Sequence, residues 1–277
     1  MKRIHLLLFT FLVCVSTQSQ SLTKLWEMTD VFKYPESVLY SPRYNYIFVS
    51  NMNGSDILAK DGNGFISTIS PEGKMINYQW VEGLNAPKGM GYFKGILYVA
   101  DIDELVLIDV KRAKVVRKIK AEGAKFLNDV AVSEKGVVYI SDSQNKRIYC
   151  FEKGQMRILI EADLLSGLNG LWLSNDMLYA GTKRIIGIAL HTMDLNKIID
   201  VYQKGGIDGI QLIGKKSFIC SNWQGDISLV KDDSIKRLLD LSNDPNKSGD
   251  ILYVEKGSRV IVPSLTGNSV VCYSLDY

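Results

Sequence analysis

The sequence predicts an all-β chain: a six-bladed β-propeller spanning residues 20–277, closed by an N-terminal strand that completes the last blade. Three observations carry that prediction. Six segments recur, each a short alternating strand, a tight turn and a second strand that ends in a small or polar residue. Taking Glu36, Lys88, Asn128, Asn169, Asp208 and Asp250 as equivalent positions, the spacings are 52, 40, 41, 39 and 42 residues. No stretch sustains the 3.6-residue apolar period of a helix.

Residues 1–19 precede the repeats and read as a targeting segment. Lys2 and Arg3 form a basic start, the run from Leu6 to Ser16 is apolar but too short to span a bilayer, and small residues lead up to Ser19. A cleaved signal peptide is expected, and with it an exported, periplasmic or secreted, monomeric protein without a membrane anchor. The segment Leu22 to Thr29 follows and belongs to no repeat. The sixth repeat, conversely, has only three strands before Tyr277. Pairing the orphan segment with the incomplete blade closes the ring and leaves no bare sheet edge.

The first repeat (PESVLYSP, YIFVSN) is about eleven residues longer than the others. The excess is the polar stretch from Asn51 to Gly64, between the second and third strands, which blade geometry places on the face where the inner strands begin. The next four repeats open on PKGMGY, LNDVAV, LNGLWL and IDGIQL, and the sixth on GDILYV. Turn-forming pairs such as EKG, GKK and ND separate their first and second strands.

Composition narrows the function classes. The chain has 46% apolar residues, which excludes disorder, and 33 Lys+Arg against 30 Asp+Glu, which leaves no basic field for nucleic acid. Three cysteines lie beyond the targeting segment, Cys150, Cys220 and Cys272, each in an apolar run. An odd count at wide spacing predicts buried free thiols rather than a disulfide framework. His191 is the only histidine outside the first nineteen residues, so a histidine-rich zinc site is excluded. The run Gly209 to Lys215 imitates a phosphate loop, but Lys216 stands where Ser or Thr is required and the segment reads strand–turn–strand.

The residue that opens each inner strand lies at the mouth of the central channel, so six distant residues converge. Glu36, Lys88, Asn128, Asn169, Asp208 and Asp250 comprise three carboxylates, two amides and one ammonium, a formal charge of −2. Gathering charge in a channel is costly unless it is compensated. Oxygen-only donors suit a hard divalent cation, calcium first, with magnesium, manganese or zinc as alternatives. Asp101, Asp142 and Asn222, which end second strands, are expected to cap turns.

The motifs PES, LND, LNGL and IDGI, in that order at blade spacing, resemble the six-bladed propellers of the senescence marker protein (regucalcin) and gluconolactonase family. The resemblance covers residues 22–277. It implies that Glu36, Asn169 and Asp208 ligate a divalent metal, with Asn128 beside the metal or its substrate. Calcium-dependent paraoxonases are similar in using Glu, Asn and Asp around a central ion. The implied function is metal-dependent hydrolysis of a lactone or related ester. Asp208 is the first choice of base and Asp250 the second, with Lys88 placed for an oxyanion or an anionic substrate. The family's sugar-lactone hydrolases have an Arg two residues before the substrate Asn; this chain has Phe126, which departs from a polyhydroxylated substrate. A non-catalytic propeller, similar to NHL-repeat proteins, is the alternative. Its face would bind a ligand or partner through Phe126, Trp172 and Trp223, residues whose ordinary role is blade packing.

Overall fold

In the computed structural model, residues 20–202, 205–241 and 247–276 are described; residues 1–19, expected to be a targeting segment, lie outside them. The architecture is the expected one. Six four-stranded antiparallel sheets follow one another along the chain. Their inner strands are Pro35–Ser41, Pro87–Phe93, Leu127–Val132, Leu171–Ser174, Ile207–Ile213 and Leu252–Val254. The outermost strand of the sixth blade is Ser21–Met28, antiparallel to the C-terminal strand Ser269–Asp276, with Ser21 opposite Asp276 and Met28 opposite Val270. Trp26 locks this closure: its indole donates to the carbonyl of Pro71 at 3.1 Å, and its ring packs with Met28 on the core shared by blades six and one.

The propeller has no single core. Six apolar clusters fill the six gaps between adjacent blades. In one of them Tyr98 and Leu105 of blade two meet Leu127, Val130, Tyr149 and Phe151 of blade three. The second and third strands of each blade are buried on both faces, whereas outer strands such as Lys114–Lys120 are mostly exposed. Burial by layer explains the composition: apolar β-branched runs lie inside and Lys-rich strands outside. Cys150, Cys220 and Cys272 are buried free thiols in these layers. Gly209 to Lys215 is strand and turn, as its spacing predicts. Among the described residues, no helix is long and apolar enough to cross a membrane.

Where inner strands crowd the axis, the residue one step past the channel mouth has little room. A Cβ on Gly170 would lie 2.5 Å from the carbonyl oxygen of Asp208, and one on Gly209 would lie 2.3 Å from the amide nitrogen of Ile251. Glycine lets neighbouring backbones approach this closely.

Candidate functional site

Pairing register fixes which residues share a level in the channel. Glu36, Lys88, Asn128 and Asp208 each sit in the bulge between the first ladder pair of the inner strand and the next, for example Pro35 opposite Asn51 and then Val38 opposite Val49. Asn169 belongs with them, its N–H bonded to the carbonyl of Gly181.

Asp250 does not. In blade six Ser248 pairs with Ser264, and Leu252 with Ile261, so Gly249 occupies the Glu36 position and Asp250 lies one step deeper. A side chain at Gly249 is blocked by the backbone of blade one, since its Cβ would meet the Glu36 carbonyl oxygen at 2.6 Å. The expected six-membered ring is therefore five polar side chains and a glycine. At Asp250's own depth stands a carboxylate that the repeat reading passed over, Asp129.

The two levels differ in how their polar atoms are satisfied. In the lower one, Asp129 accepts from the N–H of Val130 at 2.7 Å and from that of Leu171, in the next blade, at 2.6 Å. Asp250 repeats the pattern, taking the Ile251 N–H at 2.6 Å and the Ser37 hydroxyl at 2.6 Å. In the upper level, Glu36 is 6% exposed and its Oε2 has no hydrogen-bond partner. Asn169 donates its amide to Asp208 Oδ1 at 2.5 Å, and Asn128 donates to the Ser143 hydroxyl at 3.3 Å. With both amide nitrogens so engaged, the side-chain oxygens of Asn128 and Asn169 remain for a ligand.

Lys88 is buried, at 2% exposure, yet it forms no ion pair with the described carboxylates. Its Nζ donates to the carbonyls of Ala86 (2.9 Å) and Ile57 (3.2 Å) and lies 4.8 Å from the centre of the Phe126 ring. Ile57 belongs to the long loop of blade one, so the loop reaches the channel mouth, on the face predicted for it. Lys60, in the same loop, pairs with Asp103 of blade two at 2.7 Å. Phe126 is thus held between the lysine and a side cavity of about 410 Å³. That cavity is lined by Asn128, Asn169, Ser143, Lys183 and Trp223 among others. Trp223 is 53% exposed there and so is not blade packing, whereas Trp172 does pack between blades four and five.

Four carboxylates and one ammonium give the channel a formal charge of −3. Burial, and then the charges of Asp208 and Asp250, push Glu36 well above the usual carboxylate range, against a lowering by Lys88. Burial raises Asp208 to about 7 despite the Asn169 hydrogen bond, and raises Asp129 to about 6 despite its two backbone donors. Asp250 is pushed well up by burial and by Asp129. Burial lowers Lys88, with Glu36 and Asp101 opposing. Buried carboxylates of like charge hold protons until a cation replaces them.

The remaining polar candidates behave as turn caps. Asp101 accepts from the N–H groups of Asn85 and Ala86, Asp142 from those of Lys125 and Phe126, and Asn222 from those of Gln224 and Asp226. His191 is exposed between the third and fourth strands of blade four, on the opposite face from the channel mouth.

Comparison with known proteins supports the fold alone. No family model matches the chain, and no curated protein matches it. Among solved structures, it is similar to a catalytically inactive histidine-to-alanine variant of virginiamycin B lyase from Staphylococcus aureus, determined with quinupristin. That match has 12% identity over 93% of this chain and 100% of the lyase, with a TM-score of 0.65. A streptogramin B lyase matches at 10% identity over 93% and 98%, TM-score 0.65. The WD40 propeller domain of Doa1 matches at 12% over 86% and 77%, TM-score 0.64. The chain is a six-bladed β-propeller whose fold is shared by enzymes and by a WD40 domain.

Proposed function

We propose that the protein is a divalent-metal-dependent hydrolase of a lactone or related activated ester, exported after loss of residues 1–19, with its site at the channel mouth. The observation that carries this reading is the unpartnered, buried Glu36 Oε2, at the channel level shared with Asp208, Asn128 and Asn169. An acidic cup of carboxylate and amide oxygens has the donor chemistry of a hard-cation site. The resemblance to the regucalcin and gluconolactonase family points the same way. Glu36, Asp208, Asn128 and Asn169 would hold the ion. When bound, it would supply Lewis acidity toward a carbonyl oxygen and ease ionisation of water.

The chain's own groups do the rest. Asp208 can take a proton at Oδ2 from the water that adds to the acyl carbon, and return it to the departing ring oxygen. Asn169 fixes the carboxylate's rotamer through Oδ1. Both oxygens of Asp250 are engaged, so the base role falls to Asp208 rather than to Asp250. Lys88 presents positive potential beneath Phe126, near where an oxyanion would form. Phe126 and Trp223 put aromatic surface into the side cavity where a sugar-acid site would offer a guanidinium, which favours an aliphatic or aromatic acyl group.

A screen of lactones and aryl esters with each divalent ion tests the reading, run on wild type and Asp208→Ala. Metal-dependent turnover that falls at least about 1000-fold in the variant supports it. Metal binding without any turnover would instead favour a non-catalytic binder. One observation favours that second reading: Trp223 together with Ile57 and Leu58, both 41% exposed, puts apolar surface around the mouth.

A further inference from the structure

The side cavity beside the channel mouth reaches the upper level through Asn128 and Asn169, and its volume of about 410 Å³ admits a small ring. Phe126 and Trp223 line it, and no Asp, Glu or Arg does. Both aromatic residues are anchored at the backbone. The Phe126 N–H donates to Asp142 and its carbonyl accepts from the Ser143 N–H. Trp223 lies at the tip of a turn that Asn222 fixes by accepting from the N–H groups of Gln224 and Asp226. The one cation among the lining residues, Lys183, is exposed at the rim, where water screens it.

A second cation lies behind Phe126 and does not line the cavity: Lys88. An ammonium carries three N–H donors. Two of those on Lys88 go to the carbonyls of Ala86 and Ile57, and the Phe126 ring, 4.8 Å from Nζ to its centre, takes the place of a third acceptor. Satisfied in this way, Lys88 adds its field to the mouth but offers no hydrogen bond to a ligand. We propose that Phe126 sets the specificity of the side cavity: by covering Lys88, it restricts the cavity to uncharged aromatic groups. As a statement about the acyl group of a substrate, this rests on the hydrolase reading.

The balance of costs gives the direction. A carboxylate entering the cavity would lose water and meet no charged donor short of the rim, whereas a neutral ring needs only the surfaces of Phe126 and Trp223. Without the Phe126 ring, the third Lys88 donor would open toward the same space, and a charge-assisted hydrogen bond would then favour an anion. The choice between neutral and anionic groups turns on one side chain.

Calorimetric titration of the full chain with benzamide and benzoate, at pH 8 with EDTA so that neither probe binds through a metal ion, tests the selectivity. Wild type is expected to bind benzamide at least about threefold more tightly than benzoate. Trp223→Ala should weaken benzamide about threefold or more, which places the probe in the side cavity. In Phe126→Ala the order should reverse, benzoate gaining at least about tenfold relative to benzamide, and Lys88→Met added to that variant should remove the gain. Should Phe126→Ala fail to fold, Phe126→Leu, which keeps apolar bulk without the ring face, should shift the ratio the same way by at least about twofold. Failure of both probes to bind wild type, benzoate binding wild type as tightly as benzamide, benzamide indifferent to Trp223→Ala, an unchanged ratio in the Phe126 variants, or a benzoate gain that survives Lys88→Met would each overturn the proposal. Turnover is not read in this titration, so loss of the hydrolase reading and loss of this selectivity are separate results.

Discussion

Asp129 and Asp208 are both buried aspartates at the start of inner strands, one step apart in depth, and they do opposite things. Asp129 has each oxygen bonded to a backbone N–H, one of them in the next blade. Asp208 receives one amide hydrogen bond from Asn169 and stands beside an unpartnered Glu36 oxygen. The deeper level staples blades together, while the upper level keeps unsatisfied oxygen facing the mouth. Residue type does not separate structure from chemistry here; the supply of donors does. A carboxylate whose two oxygens each accept from backbone is part of the scaffold, and one left short of donors is available to a ligand.

The most severe way to break this contrast is to remove each aspartate in turn. Asp208→Ala should abolish at least about 1000-fold of metal-dependent turnover, about 4 kcal/mol of transition-state stabilisation. Its melting temperature without metal should stay the same or rise at pH 8, since a buried charge is gone. Asp129→Ala should show the reverse priority. Two buried N–H groups lose their acceptor, costing about 3 kcal/mol and lowering the melting temperature by about 6–12 °C. Equal destabilisation by the two substitutions would erase the distinction between the levels.

A smaller effect sharpens the comparison through pH. Asp208 and Asp129 titrate in the folded protein near 7 and 6, above the 3.8 of an unperturbed aspartate. Between these values the folded state binds more protons than the unfolded one, so metal-free stability falls as pH rises from about 4 to 7. Thermal melting at pH 5 and pH 8 should differ by on the order of 4 kcal/mol, the alkaline sample being less stable. Saturating divalent cation should recover the loss at pH 8 and act weakly at pH 5, where the ligand carboxyl is protonated. Lys88→Met should be milder. With its positive charge gone, the metal should bind several-fold more tightly while turnover drops about tenfold, a split readable from calorimetry and steady-state kinetics.

The blade count, the closing strand and all five polar upper-level residues were legible because a forty-residue repeat marks equivalent positions whatever their chemistry. The excess length of blade one likewise identified the loop that meets Lys88. Asp250 was misplaced by one residue because the sequence gives no sign that the backbone of blade one fills the Gly249 slot. Asp129 was hidden in plain view: in LND it stands where PKG, LNG and IDG have glycine, and the substitution itself was the signal. The direction of Lys88 and the cavity under Trp223 were not legible, since each depends on side chains from separate blades or loops meeting across the mouth.

The central claim is that the upper level binds a divalent cation through Glu36 and Asp208 while the lower level does not take part. Isothermal titration of calcium at pH 8 into wild type, Glu36→Gln and Asp129→Asn tests it most directly. The account predicts one site per chain, lost in Glu36→Gln and retained in folded Asp129→Asn. Calcium, magnesium, manganese and zinc all failing to bind wild type, or binding that survives Glu36→Gln, would contradict it.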